Sequence, residues 1–166
     1  MSVERICSLE VHVADADESA AVAAQRMRQK RVGTLVVVDE EERPVGVVTD
    51  RDLVARVLAM GRDPKETRVL DIMTKAPKTM PATAPIEEAL ALMRNGGFRR
   101  IPVVSPKGKL VGLVSLDDVL LFLATEFAWI GELLGKKVPR RGGGATTTVR
   151  GGKRAAATAG ARPSDR

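Results

Sequence analysis

Thr49-Asp50-Arg51-Asp52 and Ser115-Leu116-Asp117-Asp118 each set a hydroxyl three residues ahead of a carboxylate. At a helix start this spacing lets the hydroxyl accept a backbone N–H while the acid sits in the first turn, close to a capping box. The two strings lie 66 residues apart, and the same offset holds along the chain. Val45-Gly46-Val47-Val48 falls on Val111-Gly112-Leu113-Val114, Val37-Val38 on Val103-Val104, Met27-Arg28 on Met93-Arg94 and Ile6 on Ile72, without a gap. A period this long in two copies signals two similar supersecondary units rather than a solenoid. Two such units create equivalent clefts, and a ligand is expected there.

No catalytic constellation accompanies these strings. The chain has one histidine, one cysteine and no tyrosine. His12 lies between Val11 and Val13 and reads as an edge or surface residue. There is no Cys/His spacing for zinc, and Cys7 alone cannot close an internal disulfide. Gly131-Glu132-Leu133-Leu134-Gly135-Lys136-Lys137 falls short of a phosphate loop: its glycines are one residue too close and no Ser/Thr follows the lysine. The expectation is a non-enzyme without catalytic residue, metal or cofactor. The N-terminus lacks a basic region followed by an apolar core, and the longest apolar run, Val119 to Leu134, is broken by Glu126 and Glu132. A cytoplasmic protein without membrane contact is expected.

Charge divides the chain. The net charge is +6, yet residues 136 to 166 hold nine Lys/Arg against Asp165 alone, and the other 135 residues carry 18 basic and 20 acidic side chains. The terminal segment is rich in Gly, Ala and Thr and has few apolar side chains to offset the entropy of ordering, so a flexible tail is expected. Nine cations without aromatics would make weak, salt-sensitive, sequence-indifferent contact with nucleic-acid phosphates. An alternative function therefore has the tail on nucleic acid and the folded part as a dimerisation scaffold.

The elements that position the two strings repeat in order. A short extended piece (Leu9 to Ala14; Lys78 to Ala82) precedes a helix with apolar residues at helical spacing: Ala20, Ala23, Ala24 and Met27, then Ile86, Ala89, Leu90 and Met93. Ser19 or Asp17 can cap the first helix, and Pro85 suits the first turn of the second. Both helices end at glycine-containing turns, Arg31-Val32-Gly33 and Asn95-Gly96-Gly97. Apolar runs Thr34 to Val38 and Val45 to Val48, matched by Ile101 to Val104 and Leu110 to Val114, form hairpins. Second helices follow Thr49 and Ser115, with Leu53, Val54, Val57 and Leu58 as one apolar face and Val119, Leu120 and Leu123 as the other. The unit is β-α-β-β-α, twice. Leu120, Leu123, Phe127, Ile130 and Leu134 continue a heptad-like stripe that can pack on the chain's own core or serve self-association. The organisation expected is a first unit over 3–61, a connector over 62–74, a second unit over 69–126, a helical extension over 127–135 and the basic tail over 136–166.

The tandem unit, the Val45-to-Leu53 string and Phe98-Arg99-Arg100-Ile101-Pro102-Val103-Val104 resemble a pair of cystathionine-β-synthase (CBS) domains, the Bateman module. The resemblance covers about residues 3 to 126. It implies an α+β fold of two repeats packed about a pseudo-twofold axis. It also implies a regulatory ligand containing adenosine: AMP, ADP, ATP or S-adenosylmethionine. By the same resemblance, Asp52 and Asp118 meet ribose hydroxyls, Thr49 and Ser115 lie near ribose and phosphate, and Arg100, with Arg99 second, meets phosphate. A carboxylate has two acceptor oxygens for a diol, and a guanidinium binds phosphate through parallel bonds. Thr34 stands where the second copy has Arg100 and offers only a hydroxyl, so unequal sites are expected. Arg51 reads as a surface charge pair with its neighbours, and Asp15 and Thr83 are secondary candidates. A homodimer is expected, with output through an unidentified protein target, the oligomer or the tail.

Overall fold

The computed structural model describes residues 1–135 of the 166-residue chain. The expected basic tail over 136–166 lies outside the described residues. In the first repeat, β1 (Val13–Ala14) runs parallel to β2 (Thr34–Val38), which pairs antiparallel with β3 (Pro44–Thr49). Between β1 and β2 lies α1 (Ala20–Lys30), opened by Ser19, whose hydroxyl accepts the Val22 N–H. After β3 the chain turns directly into α2 (Asp50–Leu53). Its continuation, Val54–Leu58, widens so that the Ala59 N–H donates to the Val54 carbonyl five residues back. A short α3 (Val69–Ile72) and β4 (Thr74–Lys75) follow, and β4 closes the outer edge of β3.

The second repeat has β5 (Met80–Pro81), α4 (Ile86–Gly96), β6 (Arg100–Val104), β7 (Leu110–Ser115) and α5 (Leu116–Leu133). Its sheet order, β5-β6-β7, matches β1-β2-β3. The register matches as well: Thr34 pairs with Thr49 and Arg100 with Ser115, and both hairpins shift register at the same point, Val37/Val38 and Val103/Val104.

The repeats exchange segments. The residues before β1 pack on the second repeat. Val3 is buried in that core with Met80, Ile86 and Ile101, and Ser8 bridges Leu113 on β7. Conversely, Val69 and Ile72, just ahead of β5, are buried in the first core with Leu35, Val48 and Val57. Each sheet thus receives its outermost pairing from the segment leading into the other repeat.

Several expectations change in detail. The extended pieces shorten to two paired residues each, flanked by one further bond apiece, from the Val36 N–H to the His12 carbonyl and from the Ala82 N–H to the Val104 carbonyl. Pro85 occupies the cap position before α4 rather than its first turn. Arg31, not Gly33, takes the left-handed conformation after α1, while Gly97 does so after α4. Gly33 is needed for closeness instead: a Cβ there would lie 2.9 Å from an Asp50 carboxylate oxygen. On the second helices only Val57 and Val119 are fully buried. Val54, Leu58, Leu120 and Leu123 face solvent, so the expected apolar faces are only partly used by the chain's own core. Beyond Phe122 the stripe leaves the body, and Phe127, Trp129, Leu133 and Leu134 are each more than half exposed. Among the described residues, neither core includes a residue of the stripe.

Candidate functional site

Both hydroxyl–carboxylate strings form complete capping boxes. Thr49 Oγ1 accepts the Asp52 N–H at 3.2 Å and donates to Asp52 Oδ2 at 2.7 Å, and that oxygen also accepts the Thr49 N–H at 2.9 Å. Ser115 and Asp118 repeat this at 3.1, 2.6 and 2.7 Å. One carboxylate oxygen of each aspartate is therefore committed to the helix start. In Asp52 the other, Oδ1, has Arg56 Nε at 3.4 Å. At the matching place after Asp118 stands Phe122, so only Asp52 has a cation one turn on.

A cleft of about 620 Å³ opens where the two repeats meet. Its first wall comes from Thr34 on β2, Val47 and Thr49 on β3, and Asp50, Arg51 and Asp52 at the start of α2. The facing side comes from Thr74, Ala76, Pro77 and Lys78 in the connector, and from Gly97, Phe98, Arg99 and Arg100 leading into β6. The volume suits a small organic ligand. Val47, Pro77 and Phe98 give it apolar surface, and Thr49, Asp52 and the cations give it directional groups. Thr34 is buried, and its hydroxyl oxygen has no hydrogen-bond partner. A buried polar group without a partner is costly, and a ligand hydroxyl or phosphate would relieve it.

Five of the expected residues, Thr34, Thr49, Asp52, Arg99 and Arg100, thus line one cleft. Ser115 and Asp118 do not line it. Ser115 is the β-register partner of Arg100, and Asp118 lies in the first turn of α5. Arg51 lines the cleft and forms no ion pair among the described residues, which corrects its reading as one half of a surface charge pair. Lys78 was not anticipated. It follows Pro77 in the connector, and only the folded position of that segment brings it to the cleft.

A second cavity, about 870 Å³, lies at the ends of β1 and β2 and is bordered by Asp15, Asp17, Glu18, Asp39 and Glu40. Arg26 there is held by Glu18 through two bonds, at 2.6 and 2.7 Å, and donates to the Val13 carbonyl. Among the described residues, no group of His, Cys, Asp or Glu is placed to hold a metal ion, and no helix is long and apolar enough to cross a membrane.

Two packed β-α-β-β-α repeats with capped second helices surround a shared cleft, and the CBS domain family profile matches residues 3–59 and again 69–125. The chain belongs to the CBS-domain family. Among solved structures, it is similar to a putative signal-transduction protein with CBS domains from Burkholderia ambifaria: 29% identity, TM-score 0.70, covering 76% of this chain and 96% of that one. It is also similar to the CBS domain protein PAE2072 from Pyrobaculum aerophilum complexed with AMP: 28% identity, TM-score 0.67, covering 75% and 99%. Among curated sequences, the uncharacterized protein MK0525 of Methanopyrus kandleri is 36% identical over 120 residues, which span 72% of this chain and 61% of that relative's length.

Proposed function

We propose that the chain is a non-enzymatic regulatory module that binds an adenine nucleotide in the cleft between its repeats and signals through a change in conformation or assembly. The observation that carries this is the convergence of Thr34, Thr49 and Asp52 from the first repeat with Arg99 and Arg100 from the second in one cleft. The Asp52 oxygen left outside the capping box has Arg56 Nε at 3.4 Å, which leaves it one lone pair to accept a ribose hydroxyl. The arginines take phosphate through paired N–H bonds. The complex of the similar PAE2072 protein with AMP supports the ligand class. S-adenosylmethionine fits less well, since its sulfonium would enter a cleft rich in cations. Because the ligand touches both repeats, it favours whichever arrangement of them fits it better, and that difference is what a partner or second protomer reads.

The same reading makes the protein a homodimer through the exposed stripe of α5, with Val54 and Leu58 beside α2 offering a further apolar surface. Thermal unfolding with AMP, ADP, ATP and S-adenosylmethionine tests the binding half. A ligand held only by the folded state raises Tm with concentration. A flat response to all four at millimolar concentration sinks the nucleotide reading and leaves a protein-docking scaffold.

A further inference from the structure

We infer that this chain holds one anionic ligand rather than two, and that the ligand carries more than one phosphate, with Lys78 and Arg51 selecting for the extra phosphate. The inference rests on the nucleotide reading above and adds stoichiometry and ligand class to it. The cleft presents Arg51, Lys78, Arg99 and Arg100 against the carboxylates of Asp50 and Asp52. None of the four cations forms an ion pair among the described residues. They come from three segments: the start of α2, the connector and the lead-in to β6. Like charges drawn to one cleft repel one another, and an anion relieves that repulsion. A monophosphate has acceptors for one or two guanidinium forks and leaves the remaining cations without a partner. A second phosphate supplies them.

The pseudo-twofold relation turns this into a statement about the other side. Moving each lining residue by 66 positions replaces Arg51 with Asp117, Lys78 with His12, Arg99 with Gly33 and Ala76 with Glu10. Two exchanges go the other way, Leu116 for Asp50 and Arg31 for Gly97, while Thr34 and Arg100 exchange with each other. The related positions therefore hold Arg31 and Arg100 against Glu10, Asp117 and Asp118. One side attracts a polyphosphate and the other repels it.

Calorimetric titration of the full chain with AMP, ADP and ATP at near-physiological salt tests this. The expected result is one equivalent per chain, with ATP or ADP bound about tenfold more tightly than AMP, the gain of roughly one charge-assisted contact. The double variant Arg51→Gln, Lys78→Gln changes only exposed side chains, so it folds. It should lose about tenfold more affinity for ATP than for AMP. Two equivalents per chain, equal affinities, or a preference that survives in the double variant overturns the inference. The last outcome would place the polyphosphate contact on the nine cations of 136–166. If AMP binds well without gain from further phosphates, the nucleotide reading stands and only this inference falls; if no adenine nucleotide binds, both fall.

Discussion

Val3 and Val69 stand 66 residues apart at matching places in the duplication, and each is fully buried in the core of the other repeat. Neither half of the chain therefore contains its own complete core. Cutting the exposed link around Gly61 to Asp63 should leave two fragments that travel together in gel filtration and separate only in denaturant. Either fragment made alone should fail to fold, and mixing the two should restore structure. Val3→Ala and Val69→Ala should each cost about 2 kcal/mol, the range for losing buried methyl groups. A stably folded isolated fragment over residues 9–68 would contradict the exchange.

The exchange is locked by a second matched pair. Gly46 on β3 lies under the Met73 side chain, and Gly112 on β7 lies under Cys7, whose Sγ would be 2.9 Å from an added Cβ. Gly46→Ala should destabilise by about 1–3 kcal/mol, the usual cost of overpacking a filled core. Met73→Ala in the same chain should recover part of it, a coupling measurable by a double-mutant cycle in urea. Additive effects of the two changes would show that the methionine does not rest on the glycine.

The duplication, the β-α-β-β-α order and the capped second helices were legible because each rests on local spacing: apolar period, hydroxyl-to-acid distance and turn glycines. Thr49, Asp52, Arg99 and Arg100 could be picked out through the resemblance to CBS domains, and Thr34 by comparing the copies; all five share a cleft. The segment exchange was not legible, since alignment shows that Val3 matches Val69 but not which core each enters. Lys78 was hidden for a related reason: a lysine in a connector acquires a role only through the fold around it. The second helices were misjudged because an apolar face looks the same in sequence whether it meets the chain's own core or another surface, as Leu120 and Leu58 show.

Asp52 and Asp118 make the same cap but only Asp52 lines the cleft, which separates stability from binding. Asp52→Ala and Asp118→Ala should each lose about 1 kcal/mol in denaturant unfolding, as for other lost caps. Only Asp52→Ala should also abolish the nucleotide-dependent rise in Tm. Equal loss of that rise in both variants would show that the cap geometry, not the Asp52 carboxylate, governs binding.

The Cys7 thiol is pushed above the ordinary thiol range, chiefly by burial and further by the nearby Asp118 and Glu4 carboxylates, with a backbone hydrogen bond opposing the shift. Raised in the folded state, it binds its proton more tightly there than in the unfolded chain. Its titration therefore leaves stability untouched below the unfolded thiol value and lowers it as pH climbs through the range up to the folded value. Alkylation by iodoacetamide at pH 8 should be slow in the native protein and fast in urea. Denaturant midpoints should fall on the alkaline side more steeply for the wild type than for Cys7→Ala. Fast native alkylation at pH 8 would show that the thiol is not shielded in the folded chain.

The free half of α5 leads to the prediction about assembly. Leu120, Leu123, Phe127, Ile130 and Leu134 recur at alternating steps of three and four, the period that brings one helix edge against a partner. Trp129 and Leu133 widen the apolar arc, and among the described residues Phe127, Trp129, Leu133 and Leu134 are each more than half exposed. An exposed apolar strip this long is costly in water, and a second copy covers it with the same residues, as a twofold contact requires. Light scattering on the full chain should give a mass near twice 17.8 kDa. Phe127→Glu with Ile130→Glu should give the single-chain mass and leave the unfolding of the two-repeat body nearly unchanged, because neither residue belongs to either core. A monomeric wild type, or a double variant that remains dimeric, would move the contact away from this helix, with Val54 and Leu58 beside α2 the next surface to alter.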